Sequence, residues 1–271
     1  MMSGTADGAL PPGAGPRPNG PDLIAGVRRL PRRITRYMRR MVGRHLLGTV
    51  THVVTSAPVA ALTFDDGPDP ATTPRLLDIL ARHGAKATFF VLGRNARRYP
   101  ALIERIASEG HAIANHSYDH PKFPAISRAA RRDQIRACHA AIAPYGVPLF
   151  RPPFGLQTVR SRIEVQLLGY DVVTWNACPR DWELHDADWF TAQLRNEVRA
   201  GSIVLLHDTL ADRPGEPVAD RNAIFTALDR FLGDVGSTLS FVTVPTLLTF
   251  GRPFRANWFV RSDDDWVNHN P

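Results

Sequence analysis

At 271 residues, the chain is long enough for one large α/β domain with a substantial core, and one catalytic domain is the working assumption. The formal charge of +7 resembles a nucleic-acid signal, but eight arginines between Arg28 and Arg44, with no acid among them, exceed it: seven less eight leaves minus one for everything else, and no phosphate-backbone partner is expected. The two cysteines, Cys138 and Cys178, are too few for a disulfide framework and lack the C-x-x-C spacing of a zinc knuckle or redox pair.

Residues 1–22 are rich in Gly and Pro, carry few large apolar side chains and read as a disordered tail. Residues 23–55 read as a basic amphipathic segment: Leu30, Ile34, Tyr37, Met38 and Met41 recur at helical spacing opposite Arg32, Arg33, Arg36 and Arg40. Such a helix lies on an anionic membrane surface, or its apolar stripe caps the fold while the arginines face water; both readings stay open. The first thirty or so residues lack the apolar core of a secretory leader, and no uncharged run reaches the roughly 18 residues of a spanning helix, so a cytoplasmic or membrane-associated protein is expected.

From residue 56 to 251, short apolar, β-branched runs alternate with longer helical ones, the pattern of βα units around a parallel sheet. The expected strands are Val59 to Phe64, Lys86 to Leu92, His111 to Asn115, Pro148 to Arg151, Asp171 to Asn176, Ser202 to His207 and Leu239 to Val244. Seven strands predict an irregular (β/α) barrel. The intervening helices have recognisable ends: Pro74 in a first turn, Gly110 closing another helix, Ser127 as an N-cap, and Gly169 and Gly201 as terminators. Residues 252–271 read as a polar, tryptophan-containing tail.

Chemistry gathers where these strands end. The first runs into Thr63-Phe64-Asp65-Asp66-Gly67-Pro68, placing adjacent carboxylates just past a strand's C-terminal end, where barrels site catalysis. Two such acids are accommodated when one binds a cation and the other accepts a proton; a solvated Asp-Gly turn is the plain alternative. The third ends in His116-Ser117-Tyr118-Asp119-His120-Pro121, an H-x-x-x-H spacing that lets two imidazoles meet one ion or simply bond to backbone. The fourth ends in Arg151-Pro152-Pro153-Phe154-Gly155, whose prolines fix the backbone and aim a guanidinium. The fifth leads through Trp175 and Asn176 to Asp181-Trp182, and the sixth, Leu205-Leu206-His207-Asp208, ends in another imidazole.

Taken in order, T-F-D-D-G, H-S-x-x-H-P, R-P-P-F-G, D-W and L-L-H-D resemble the motifs of the polysaccharide deacetylase family, the carbohydrate esterases with a NodB homology domain, over roughly Val59 to Phe250. The resemblance implies a distorted (β/α)7-type, NodB-like barrel and a hydrolase that removes an N-acetyl group from an N-acetylglucosamine-type sugar. It implies that Asp66, His116 and His120 bind a divalent metal, with zinc as the default, while the ligand set also suits cobalt, nickel or iron. Asp65 would be the general base toward a water activated by the cation, with Arg151 keeping it ionised and oriented. His207 would protonate the leaving amine, partnered by Asp181 or, as a fallback, Asp208; the backbone near Phe154 would help hold the oxyanion. Phe154, Trp182 and Leu205 would wall a small pocket for the acetyl methyl. The chain departs from the family at Cys178-Pro179-Arg180-Asp181-Trp182, where the family often has D-x-x-D-W: Cys178 replaces the first acid, and its thiol is a possible extra metal contact.

Two other functions compete: a carbohydrate-binding protein without turnover, which would not need a complete acid, base and metal set, and a metal-dependent O-esterase or amidase acting on a non-sugar substrate. The expected partner is an N-acetylated carbohydrate, with peripheral contact to anionic membrane through Arg28 to Arg44.

Overall fold

The computed structural model describes residues 48–210 and 217–260. Residues 1–22, read from the sequence as a tail, and the arginine-rich stretch read as a basic amphipathic segment lie outside these residues, as do residues 261–271. Among the described residues, no helix is long and apolar enough to cross a membrane.

All seven expected strands form one parallel sheet: β2 (Val59–Asp65), β3 (Ala87–Val91), β4 (Ala112–Asn115), β5 (Gly146–Phe150), β6 (Asp171–Val172), β7 (Ile203–His207) and β8 (Ser240–Phe241). Their order is β6-β5-β4-β3-β2-β7, and the short β8 pairs with Val59 and Ala60 at the start of β2. The sheet curls into an irregular barrel. Its open side is bridged by a parallel contact between Ala177 and Val204 and by contacts of Val50 with Val173 and of His52 with Ser202.

Every residue of β2 is buried because both faces of the sheet are covered. Ala60, Leu62 and Phe64 point outward and pack with Leu76, Leu80 and Phe231 of the surrounding helices. The alternate residues Val59 and Ala61 turn inward onto Phe90, Ile203 and Val244. Helix ends follow the sequence signals: Ser127 accepts a hydrogen bond from Ala130 N–H, Pro74 sits in the first turn of Thr73–Arg82, and Gly110, Gly169 and Gly201 adopt positive φ.

Two strands lie outside the expected barrel. Thr49–Val54 (β1) falls in the range assigned to the basic segment, and Arg252–Ala256 (β9) in the range read as a tail; they pair antiparallel. β1 also fills the gap left by a shortened β6. Asp171 to Asn176 was expected as one strand, but after Val172 the backbone changes partners: Thr174 N–H donates to Val50 O, and Asn176 N–H to Ile203 O. The end of the supposed tail returns to the site face, where Trp258 Nε1 donates to Gly155 O (3.0 Å) and its ring meets Trp175 edge-on.

Candidate active site

The carboxylates, imidazoles and guanidinium singled out in the sequence converge at the C-terminal mouth of the barrel. Asp65 is the last residue of β2, and Asp66 follows it in a left-handed conformation with φ 78°. Ser117, His120 and Phe154 share that conformation, at φ 71°, 65° and 58°. Four non-glycine residues in a sparsely populated region cluster at one mouth, a pattern of backbone strain held in place around functional sites. The loop after β4 is braced locally: Asn115 Oδ1 accepts from Ser117 N–H, and Ser117 Oγ accepts from His120 N–H.

Asp66, His116 and His120 are all buried, and each offers a ligand atom within 4.8 Å of the other two. His116 Nδ1–H donates to Arg151 O (2.8 Å), which fixes the tautomer and leaves Nε2 as the acceptor, 3.6 Å from Asp66 Oδ1. His120 Nε2 lies 3.4 Å from the same oxygen. Burial, followed by repulsion from His120, holds His116 well below the ordinary imidazole range, in the neutral form a metal requires. One carboxylate and two imidazoles, with a backbone carbonyl orienting one ring, fit a zinc-type cation.

Arg151, fully buried, donates from Nη1 to Asp65 Oδ1 (2.7 Å) and to Thr63 Oγ1 (2.8 Å), and from Nη2 to Thr174 O (3.0 Å). Its guanidinium lies over Phe90. Burial raises Asp65 to about 6 against the pull of Arg151, so its carboxyl can exchange a proton near neutrality. His207 is the register partner of Asp65 on the neighbouring strand β7. Its Nδ1–H donates to Asp181 Oδ1 (2.8 Å) and its backbone N–H to Asp181 Oδ2 (2.8 Å). Burial works against its charge, but Asp181, aided by Asp66 and Asp65, raises His207 to about 9. Burial likewise pushes Asp181 up, yet Arg221 and His207 bring it below the usual carboxylate range.

The expected wall residues surround this group. The Phe154 ring, exposed at its rim, meets His120 at 4.4 Å between centroids, and Trp182 meets His207 edge-on at 5.7 Å. Leu205 is buried two residues before His207, on the same face of β7. A cleft of about 630 Å³ is lined by Asp69, Thr72, Arg94, Asn95 and Thr209 and by none of the converging carboxylates or imidazoles; its link to them is Asn95, whose Nδ2 donates to Asp66 O (2.8 Å).

Two sequence expectations are corrected. Asp208 is not the partner of His207: it accepts from Thr73 Oγ1 (2.5 Å) and lies against Gly67, where burial raises it to about 7. Among the described residues, Cys178 is not part of the metal-competent group; its thiol is half-buried and pushed up by desolvation, and its N–H donates to Glu197. Sequence reasoning missed Arg221 and Trp258. Neither belongs to a motif, and both reach the site from segments remote in the chain.

Residues 52–173 match the sequence profile of a family described as polysaccharide deacetylase. A chitooligosaccharide deacetylase of Sinorhizobium fredii is 38% identical over 183 residues, covering 66% of this chain and 84% of the relative. A peptidoglycan-N-acetylglucosamine deacetylase of Bacillus cereus is 34% identical over 192 residues, covering 69% of this chain and 67% of the relative. Among solved structures, a peptidoglycan N-acetylglucosamine deacetylase in complex with a naphthalenyl N-oxidanyl-benzamide superposes with a TM-score of 0.67 at 31% identity, covering 75% of this chain and 94% of that one.

Proposed function

The chain belongs to the polysaccharide deacetylase family, and on that premise we propose that it is a metal-dependent amino-sugar deacetylase, removing the N-acetyl group of an N-acetylglucosamine-type unit in an oligosaccharide, glycolipid or small glycoside. The observation that carries this reading is the pairing of opposite proton-transfer roles on adjacent strands: Asp65 held by Arg151 and His207 held by Asp181, flanking Asp66, His116 and His120. A sugar-binding protein needs no such set, which disfavours binding without turnover.

A divalent cation held by Asp66, His116 and His120, with zinc the default for such donors, would supply a Lewis acid that acidifies a water and polarises the acyl oxygen. Asp65 takes the proton from the attacking water, with Arg151 fixing its carboxylate. The amide nitrogen is a poor leaving group until protonated, and His207 delivers that proton while Asp181 stabilises the imidazolium. Phe154, Trp182 and Leu205 bound the acyl group. The relatives' substrates, chitooligosaccharide and peptidoglycan N-acetylglucosamine, support a sugar amide over a non-sugar one.

The test is acetate release from N-acetylated chitooligosaccharides. Activity is expected to vanish with a chelator and return with zinc; failure of the chelator to inhibit would overturn the metal requirement, and release from aryl amides but not sugars would overturn the substrate. A second part of the proposal concerns Arg28 to Arg44: a cytoplasmic address with peripheral contact to an anionic membrane surface, which the eight arginines suit. Protein lacking residues 1–49 should bind phosphatidylserine vesicles less than the full chain, and equal binding refutes this role.

A further inference from the structure

His207 owes its place to more than Asp181. Arg221, a fully buried residue 14 positions further along the chain, stands at the N-cap of the helix Asn222–Val235 with φ 60°. A buried cation in the left-handed region persists only where its surroundings impose it. Among the described residues, its guanidinium reaches three oxygens of two residues. Nη1 donates to Asp181 O (2.7 Å), and Nη2 donates to Asp181 Oδ2 and to His207 O (3.2 Å).

Asp181 Oδ2 also accepts from the His207 backbone N–H, so that oxygen is held by His207 and by Arg221. Oδ1 is then directed at His207 Nδ1. The Asp181 carboxylate cannot rotate about its last bond without breaking both Oδ2 contacts, and His207 cannot turn its ring without losing Nδ1–H to Oδ1. Nε2 is left as the ring nitrogen facing the reacting groups. The planar fork meets these oxygens from two separate nitrogens held in a fixed plane, whereas an ammonium, though it has three donors, projects them all from one centre.

We propose that Arg221 is a positioning residue for the proton donor, clamping Asp181 and the His207 backbone so that the imidazole keeps the tautomer and direction needed to protonate the leaving nitrogen. The proposal rests on the deacetylase reading above. Arg221 does not touch the reacting atoms, and it acts through Asp181 and His207.

The consequence is selective. Water attack, aided by Asp65 and the cation, does not involve the clamp, whereas expulsion of an amine does. An aryl ester with an acidic phenol leaves without protonation, so the same site can hydrolyse it when His207 is misaligned.

The experiment compares wild type with Arg221→Met and Arg221→Lys on an N-acetylated chitooligosaccharide and on para-nitrophenyl acetate. In Arg221→Met, kcat on the sugar amide is expected to fall on the order of 10²-fold with KM little changed, while kcat on the aryl ester stays within about threefold. Arg221→Lys is expected to recover part of the amide activity, because it restores the charge without the fork. Independently of turnover, the proton spectrum of the metal-free protein should show a downfield His207 Nδ1–H resonance, assigned by its loss in His207→Gln, that weakens or disappears in Arg221→Met.

Parallel loss of both activities, or full retention of both, overturns the proposal, as does an unchanged Nδ1–H resonance in Arg221→Met. If Arg221→Met does not fold, Arg221→Lys decides: amide and ester activity falling together refutes the clamp, and selective loss on the amide supports it. If wild type cleaves the ester but no sugar amide, the deacetylase reading fails instead, and the resonance still reads the clamp.

Discussion

Replacing His207 with Gln should remove a specific dependence of stability on pH in the chelator-treated protein. Folded His207 titrates at about 9 rather than 6.5, because Asp181 accepts its Nδ1–H and Asp66 and Asp65 lie near. A base whose pKa is raised by folding stabilises the fold fully below its unfolded value, and that contribution is lost as pH rises through the folded value. The displacement from 6.5 to about 9 corresponds to about 3 kcal/mol, and with the side chain only 15% exposed little of this is screened. Other perturbed groups change both proteins alike. Asp65 and Asp208, raised from 3.8 to about 6 and about 7, lose their contributions as pH rises through those values, largely below this window, and Cys138 and Cys178, both raised from 9.0, begin to lose theirs near its upper edge. The difference between wild type and His207→Gln in urea unfolding between about pH 7 and pH 9 therefore reads His207. Wild type should lose about 2 to 3 kcal/mol across this window and His207→Gln much less. An equal decline in both proteins would refute the ionised pair with Asp181.

Asp66→Ala combined with His116→Ala should abolish zinc binding measured by metal analysis; retained zinc would mean that other ligands hold it. Asp65→Asn should keep zinc while lowering kcat by at least about 10²-fold, since it removes a base without removing a ligand, and full activity would remove Asp65 from the mechanism. Gly201→Ala should lower the thermal midpoint by roughly 5 °C or more, because a Cβ at φ +82° would lie 1.9 Å from Val53 O, and relief would require separating β1 from the strand that carries His207.

The residues at strand ends were legible because their signal is local. An apolar run ending in Asp65-Asp66, or in His207, marks a position at the barrel mouth whatever the rest of the chain does. The helix ends were legible for the same reason, since a cap or a positive-φ glycine acts within one turn. The β1–β9 ribbon was not, because Thr49 pairs with Ala256 and neither strand has a turn signal linking it to the other. The arginines before β1 drew its residues into a basic segment, though Val50 and Val53 are buried in the barrel interior. The shortening of β6 was illegible for the same reason, since only with β1 in place does Thr174 have a competing partner in Val50.

The same division runs through the site. Sequence placed Asp65 and His207 each at a strand end, but not on neighbouring strands, and their chemistry depends on being neighbours. Parallel pairing of β2 with β7 sets Asp65 opposite His207 in register, so hydrogen bonds of the sheet fix the distance between base and acid before either side chain is considered. A slip of one residue would turn one of the two out of the mouth, because successive side chains face opposite sides of a strand. Arg151 and Arg221 then act from outside that pair: one holds Asp65 and the other holds Asp181 against His207. The first was visible because two prolines announce a fixed turn after it; the second stands alone in the sequence, and only the folded chain brings it to Asp181.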